Sequence, residues 1–258
     1  MAHCLYQTPH ERGLNRSRWW LAGLRQAISW LASYSLSGIW RLLKRLGFSY
    51  RRAREHVHSP DPAYEAKLRA VQKAVARVRA APQRYVLLYQ DEMTYYRRLG
   101  LAWAYAPCGS KTPVAQLGYK GNTKCRIAAS LDITWGRLTC WQRSRFDRHT
   151  LLRYYRHLQA TYPAAETIFL VQDNWPVHHH PDIQHWLSTS RIVVLPLPTY
   201  APWTNYAEKV WRRLRQEVLH VHPFEDDWPS QQAQVQRWLD QWAEGSFDLL
   251  YYVGLFPY

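Results

Sequence analysis

Three carboxylates carry the chemistry available to this sequence. Asp91 ends the apolar run "YVLLYQD", Asp173 ends "TIFLVQD", and Glu208 stands near the start of the basic amphipathic segment "NYAEKVWRRLR". Thirty-four residues separate Asp173 from Glu208. Phosphodiester cleavage needs an activated water or hydroxyl, neutralisation of developing charge and a stabilised leaving oxygen. Two divalent cations about 3.5–4 Å apart supply all three. Mg²⁺ prefers hard oxygen donors, commonly a few carboxylates completed by water and substrate phosphate. Three acids from separate elements, one shared between two ions, meet that need without a histidine or cysteine. Each acid taken singly has a plain structural reading as well. An Asp after a strand caps a turn or helix, and a Glu in a first helical turn complements the dipole. Only the combination is specific.

The elements that must position these acids are visible as periodicity. "RYVLLYQDE", "LAWAYAP", "CRIAASLDI" and "GRLTCWQ" read as strands. A helix follows over about 147–161, then the strand "TIFLVQDN", a helix near 181–188, the strand "RIVVLPL", and a helix from about Asn205 to His220. That order predicts an α/β fold, a mixed sheet flanked by helices. Asp91 and Asp173 then lie at strand ends on the sheet edge, where such folds build sites. Glu208 lies in the first turn of a helix able to cross that edge. Glu92, next to Asp91, is expected on the opposite face of the strand in a supporting role.

The front of the chain is different. Trp20, Leu21, Leu24, Ile28 and Leu31 recur at helical spacing between Ser17 and Tyr34. A turn and a second helix follow, from about Ser37 to a stop at Gly47. Ile39, Leu42, Leu43 and Leu46 give that helix an apolar face and leave Arg41, Lys44 and Arg45 for the other. With Arg51, Arg52 and Arg54 just beyond, the pattern predicts a helix-turn-helix whose cations reach DNA phosphates and base edges. The plainer alternative is a solvated basic helix.

Charge supports the division. The formal net charge is +15, and residues 1–80 hold 15 Lys and Arg against 4 Asp and Glu, while residues 81–258 hold 19 against 15. A basic front joined to a nearly balanced body suits a polyanion, nucleic acid first among them. The 47% hydrophobic content is enough for a core and argues against wholesale disorder. Four scattered cysteines, without a C-x-x-C pair, exclude a disulfide scaffold or zinc knuckle and point to reduced thiols in the cytoplasm. The most apolar N-terminal stretch carries Arg25 and Gln26, and reads as neither signal peptide nor membrane span.

The words around the acids resemble those of DDE transposases of the mariner-like superfamily, in the branch encoded by bacterial insertion sequences. The second-acid word of that family is an apolar strand followed by D-N-x-x-x-H, and Asp173, Asn174 and His178 match it. The third-acid word is close to L-P-x-Y-S-P-x-x-N-P-I-E-x-x-W, and Leu197, Pro198, Tyr200, Pro202, Asn205, Glu208 and Trp211 match. The first-acid word, "YQDE", is weaker. The resemblance is strong over about residues 84–222. It implies a ribonuclease-H-like fold, with Asp91, Asp173 and Glu208 as catalytic residues and ligands of two Mg²⁺ ions, Mn²⁺ able to substitute. It implies cleavage and joining of double-stranded DNA, transposon ends and target, by a homodimer. Asn174, His178 and Asn205 stand as auxiliary residues. Of "HHH" at 178–180, His178 is the one placed to contact phosphate or orient a water. Lys209, Arg212, Arg213 and Arg215 are expected as a phosphate-facing strip, and Trp175 and Trp203 as platforms for unpaired bases.

The resulting organisation is a helix-turn-helix-like DNA-binding region over 1–58, a helical connector over 59–83, a catalytic domain over 84–222 and a C-terminal helical extension over 223–258. The sequence departs from the family's words in two places. Asn205-Tyr206-Ala207-Glu208 lacks the usual proline, and Trp175 replaces a small residue. The resemblance also implies a longer, bipartite front, with about one helix-turn-helix unit missing before residue 17. Two other readings stay open: a DNA-binding remnant without activity, and a ribonuclease-H-like nuclease that does not transfer strands.

Overall fold

A computed structural model describes residues 1–51, 58–103, 105, 108, 118–224 and 226–255. The chain divides into two compact units, Met1–His56 and Val57–Tyr258.

In the first unit the described residues form helices only: α1 (Ala2–Leu5), α2 (Leu21–Ala27) and α3 (Leu36–Arg45), with short 3-10 turns at Pro9–Arg12 and Ser29–Leu31. The single helix expected from Ser17 to Tyr34 is therefore broken. Trp20 precedes α2 in an extended conformation, and Ile28 leaves the helix at φ −122°, ψ 103°. So short a helix takes its stability from packing rather than propensity. Here the packing is a small cluster of Leu24, Leu31 and Ile39, with Ile28 against it. The second helix forms as expected. The Ser35 hydroxyl accepts from the Gly38 amide at 3.1 Å and caps α3, and Gly47 follows its end at φ +80°.

The second unit is built on a five-stranded sheet of order β3-β2-β1-β4-β5: β1 (Tyr85–Tyr96), β2 (Lys124–Asp132), β3 (Leu138–Arg143), β4 (Thr167–Gln172) and β5 (Ile192–Pro196). β2 runs antiparallel to β1 and β3, whereas β1, β4 and β5 are parallel. Side chains alternate along β1. Odd-numbered Leu87, Tyr89, Met93 and Tyr95 face one side; Val86 and Leu88 face the other. The odd face is covered by α4 (Tyr64–Ala80), α7 (Ala207–Leu214), α8 (Trp228–Asp240) and α9 (Phe247–Val253). The even face is covered by α5 (Arg148–Thr161) and α6 (Pro181–Leu187). Both faces are dry, which is why β4 reads as a continuous apolar run rather than an alternating one.

The stretch expected as a connector is helical, and its Val71, Ala74 and Val78 pack on Leu87, Tyr89, Phe169 and Val171 of the sheet. The expected strand "LAWAYAP" does not form in its described part. Leu101 to Trp103 have no regular structure, and Leu101, Trp103 and Tyr105 are exposed. Among the described residues no helix is long and apolar enough to cross a membrane.

The β2–β3 turn depends on Gly136, at φ +67°, where an added Cβ would come within 2.1 Å of the Ser246 carbonyl oxygen just before α9. Gly136→Ala should cost more than the ~1–2 kcal/mol of an ordinary left-handed residue, because backbone rather than side chain blocks it. Chemical denaturation checks this, and a loss below ~1 kcal/mol would show that α9 is not tied to the turn.

Candidate active site

Asp91 lies mid-strand rather than at a strand end. β4 pairs with β1 only as far as Tyr89, while β2 pairs with it through Tyr96. Asp91 therefore emerges where the parallel partner has just stopped, at the carboxyl edge of the parallel half of the sheet. Asp173 is the first residue beyond β4, and its Oδ1 accepts from the Trp175 amide at 2.9 Å. Glu208 is the second residue of α7. The three acids, with Asn174, Trp175, Asn205 and the loop 197–202, line one cavity of about 330 Å³.

Several polar contacts hold the geometry. Trp211, one turn after Glu208 and 1% exposed, donates from its indole Nε1 to Asp91 Oδ2 at 2.8 Å. Asn205, also buried, donates from Nδ2 to the Gln90 carbonyl at 3.2 Å and accepts the Ala207 amide on Oδ1 at 3.1 Å. It thereby fastens the start of α7 to β1 beside Asp91. This pair of bonds fixes the helix entry where the family's usual proline is missing. Asn174 Nδ2 bonds to the Leu197 carbonyl and to Thr199 Oγ1, both at 3.1 Å. From the other side Asp61 accepts the Thr199 amide at 3.0 Å and the Lys67 ammonium at 2.7 Å. These bonds, that with Lys67 foremost, hold Asp61 down at about 2. In the loop so pinned, Tyr200 adopts φ +54°, a strained backbone for a residue with a side chain.

The electrostatics at this cavity run the other way. Burial, then the neighbouring Glu208, push the Asp91 carboxyl up to about 8; Glu92 and Asp173 add to the rise, and the Trp211 hydrogen bond opposes it. No Lys or Arg is among the described residues that line the cavity. A cluster of acids this starved of positive charge, on rigid elements, fits divalent cations held through oxygen.

Glu92 does point to the opposite face, as expected, yet it meets another member of the motif there. Its Oε1 lies 3.4 Å from Nε2 of the buried His178 and accepts from Gln90 Nε2 at 2.7 Å. Glu92, Asp173 and His178 present ligand atoms within 4.8 Å of one another. Sequence spacing carries no sign of this cluster, since Asp173 reaches it by standing at the sheet edge between the two faces.

The expected basic strip is split by the fold. Lys209 donates to the Val253 carbonyl at the end of α9. Arg213 pairs with Glu217 at 2.7 Å and lies between the rings of Trp242 and Tyr252, at 4.8 and 5.0 Å. Arg212 and Arg215 are exposed and, with Lys209, line a second cavity of about 570 Å³, which shares Pro202, Asn205 and Glu208 with the acid cavity. Trp203, half exposed, borders it too, while Trp175 packs edge-on against His178 at 5.4 Å. On α3 of the first unit Arg41, Lys44 and Arg45 are exposed. Arg51 donates to Ser49 Oγ at 2.9 Å. Arg52 and Arg54 lie outside the described residues.

A carboxylate cluster at this edge of a mixed sheet agrees with what sequence comparison finds. The chain belongs to the DDE superfamily endonuclease family, whose sequence profile matches residues 86–228, more than half of its length. A winged helix-turn-helix profile matches residues 15–67. The chain is 27% identical over 226 residues to the insertion element IS630 uncharacterized 39 kDa protein of Shigella sonnei, an alignment covering 86% of this chain and 64% of that one. The chain thus spans less than two thirds of the length of that relative. Among solved structures, the Mos1 mariner paired end complex with Mn matches with a TM-score of 0.63 at 18% identity, covering 95% of this chain and 78% of that one. The Mos1 transposase paired-end complex with left transposon end matches with a TM-score of 0.62 at 19% identity, covering 94% and 76%. The fold is ribonuclease-H-like, a mixed sheet flanked by helices and preceded by a helix-turn-helix region.

The raised carboxyl makes a sign-definite prediction for the metal-free protein. Folded, Asp91 keeps its proton up to about pH 8; unfolded, it ionises near 3.8. Between those values the folded chain binds the extra proton, so stability falls as pH rises. Each pKa unit is about 1.4 kcal/mol, so the ceiling is on the order of 5 kcal/mol. Without divalent ions, Asp91→Asn should melt increasingly above the parent from pH 5 to pH 8. Equal melting temperatures across that range would show that Asp91 carries no unusual charge burden.

Proposed function

We propose that this chain is a DNA transposase that cuts and joins strands at the ends of a mobile element, with Asp91, Asp173 and Glu208 holding two divalent cations, Mg²⁺ by preference with Mn²⁺ able to substitute. The observation that carries the reading is that three acids far apart in sequence line one cavity. The Mos1 neighbours support it, since their structures include complexes with a transposon end, with Mg or Mn, and a strand transfer complex. The family membership supports it independently.

When bound, the ions supply the positive charge that favours ionisation of the attacking water or 3′-hydroxyl and steadies the leaving oxygen. The chain does the rest. Trp211 occupies one oxygen of Asp91 and so orients the other. Asn205 seats Glu208 beside it by anchoring α7 on β1. Arg212 and Arg215, in the adjoining cavity, hold phosphates of the incoming strand. On the first unit Arg41, Lys44 and Arg45 grip duplex DNA, and a second copy of the chain is expected in the working assembly. Four cysteines without a disulfide suit work in the cytoplasm.

Incubating the protein with duplex DNA carrying its element ends should give Mg²⁺- or Mn²⁺-dependent nicks. Asp173→Asn or Glu208→Gln should lower nicking by at least ~100-fold while leaving DNA binding intact. Nicking at parental rate in Asp173→Asn would remove the assignment. Joined products separate a transposase from a nuclease without strand transfer, and metal-independent binding without nicks would mark a remnant. Separately, Arg212→Ala with Arg215→Ala should reduce the slope of log affinity against log salt by about 2. Arg213→Ala should leave that slope unchanged and lower the melting temperature instead, because its guanidinium is committed to Glu217 and two rings.

A further inference from the structure

On the even face of β1, behind the acid cavity, His178 is 0% exposed and its Nε2 has no hydrogen-bond partner. The Tyr155 hydroxyl donates to Gln172 Oε1 at 2.6 Å, and His178 Nδ1 lies 3.2 Å from the Tyr155 oxygen. In the tautomer that donates from Nδ1 to that oxygen, Nε2 turns a lone pair toward Glu92 Oε1 at 3.4 Å. In that tautomer a buried nitrogen acceptor faces the partly buried Glu92 carboxylate, an arrangement that a bound cation would satisfy. The exposed carboxylate of Asp173 is close by, all three ligand atoms falling within 4.8 Å.

We propose that Glu92, His178 and Asp173 form an accessory cation site, separate from the Asp91–Glu208 side of the acid cavity, that takes a borderline divalent metal such as Mn²⁺ or Zn²⁺ through one nitrogen and two carboxylates. The separation fits. For one of the three ligand pairs, metal–ligand distances of about 2.1 Å in a tetrahedral Zn²⁺ site put neighbouring ligand atoms about 3.4 Å apart, the distance found between Nε2 and Oε1. The donor set fits as well, because the imidazole suits Zn²⁺ and the two carboxylates suit Mn²⁺. The Tyr155–Gln172 chain serves as the outer support that such a histidine requires. An ion here would fix the rotamer of Asp173, the residue that the site shares with the acid cavity. The proposal rests on the preceding reading only in taking Asp173 as a metal ligand.

Pulsed electron paramagnetic resonance on the full chain with added Mn²⁺ tests this without reference to activity. The parent should show coupling to one directly bound ¹⁴N, and so should the double variant Asp91→Asn, Glu208→Gln. His178→Gln, confirmed folded by its melting curve, should lose the coupling, and the near-isosteric Glu92→Gln, confirmed folded likewise, should need at least about tenfold more Mn²⁺ to half-saturate it. No nitrogen coupling in the parent, or unchanged half-saturation in Glu92→Gln, overturns the site. An imidazolium at His178, seen by ¹⁵N resonances as two protonated nitrogens in the Mn²⁺-free chain at pH 8, overturns it too, since a proton would then fill the gap. Loss of nicking in the Asp91 and Glu208 variants reports on the acid cavity alone, so failure of one reading leaves the other standing.

Discussion

The structure turns on a carboxylate that is buried where burial is expensive. Asp91 sits on a central strand with most of its surroundings apolar, and the other acids converge on it rather than on a compensating Lys or Arg. An arrangement like that costs folding free energy. It persists because the surrounding sheet and helices over-determine it. β1 is hydrogen-bonded on both sides, α7 is buried along Val210, Trp211 and Leu214, and Asn205 ties helix to strand. In the function proposed above, bound cations would relieve that cost, so the fold would store affinity for them.

The scaffold explains why so few side chains suffice. Asp91 and Asp173 are carried by neighbouring parallel strands, so their separation is set by backbone hydrogen bonds rather than by side-chain packing. Glu208 comes from a helix whose apolar face cannot rotate without unburying Trp211. The same tryptophan that anchors the helix bonds to Asp91, and this couples the position of the third acid to the orientation of the first. The loop from Leu197 to Pro202, held by Asn174 and Asp61, closes the remaining wall of the cavity.

Basic residues divide by what the fold leaves them free to do. Arg213 looks in sequence like its neighbours Arg212 and Arg215, yet it is committed to Glu217, Trp242 and Tyr252, while Lys209 both reaches the end of α9 and borders the cavity that Arg212 and Arg215 line. Charge counting cannot make that distinction. The same holds for His178, which in sequence stands between an acid and two further histidines and in space belongs with Glu92 and Tyr155. The site therefore has two faces, one for the acid cavity and one behind it, with Asp173 at the edge they share.

Much of this was legible beforehand, for identifiable reasons. The strands β1, β4 and β5 and the helices α3, α5, α6 and α7 announced themselves because local periodicity acts within a few positions of chain. The acids announced themselves through spacing and the words around them. What the sequence alone could not decide were the matters that depend on partners distant along the chain. The break at Ile28 answers to a three-residue cluster, and Leu101 to Trp103 lie outside the five paired strands. The charge on Asp91, the fate of Arg213 and the meeting of Glu92 with His178 are of the same kind. Each is set by burial and by the field of groups up to more than a hundred positions away, such as Asp91 and Trp211 at a separation of 120, and only the closed tertiary structure brings those groups within reach.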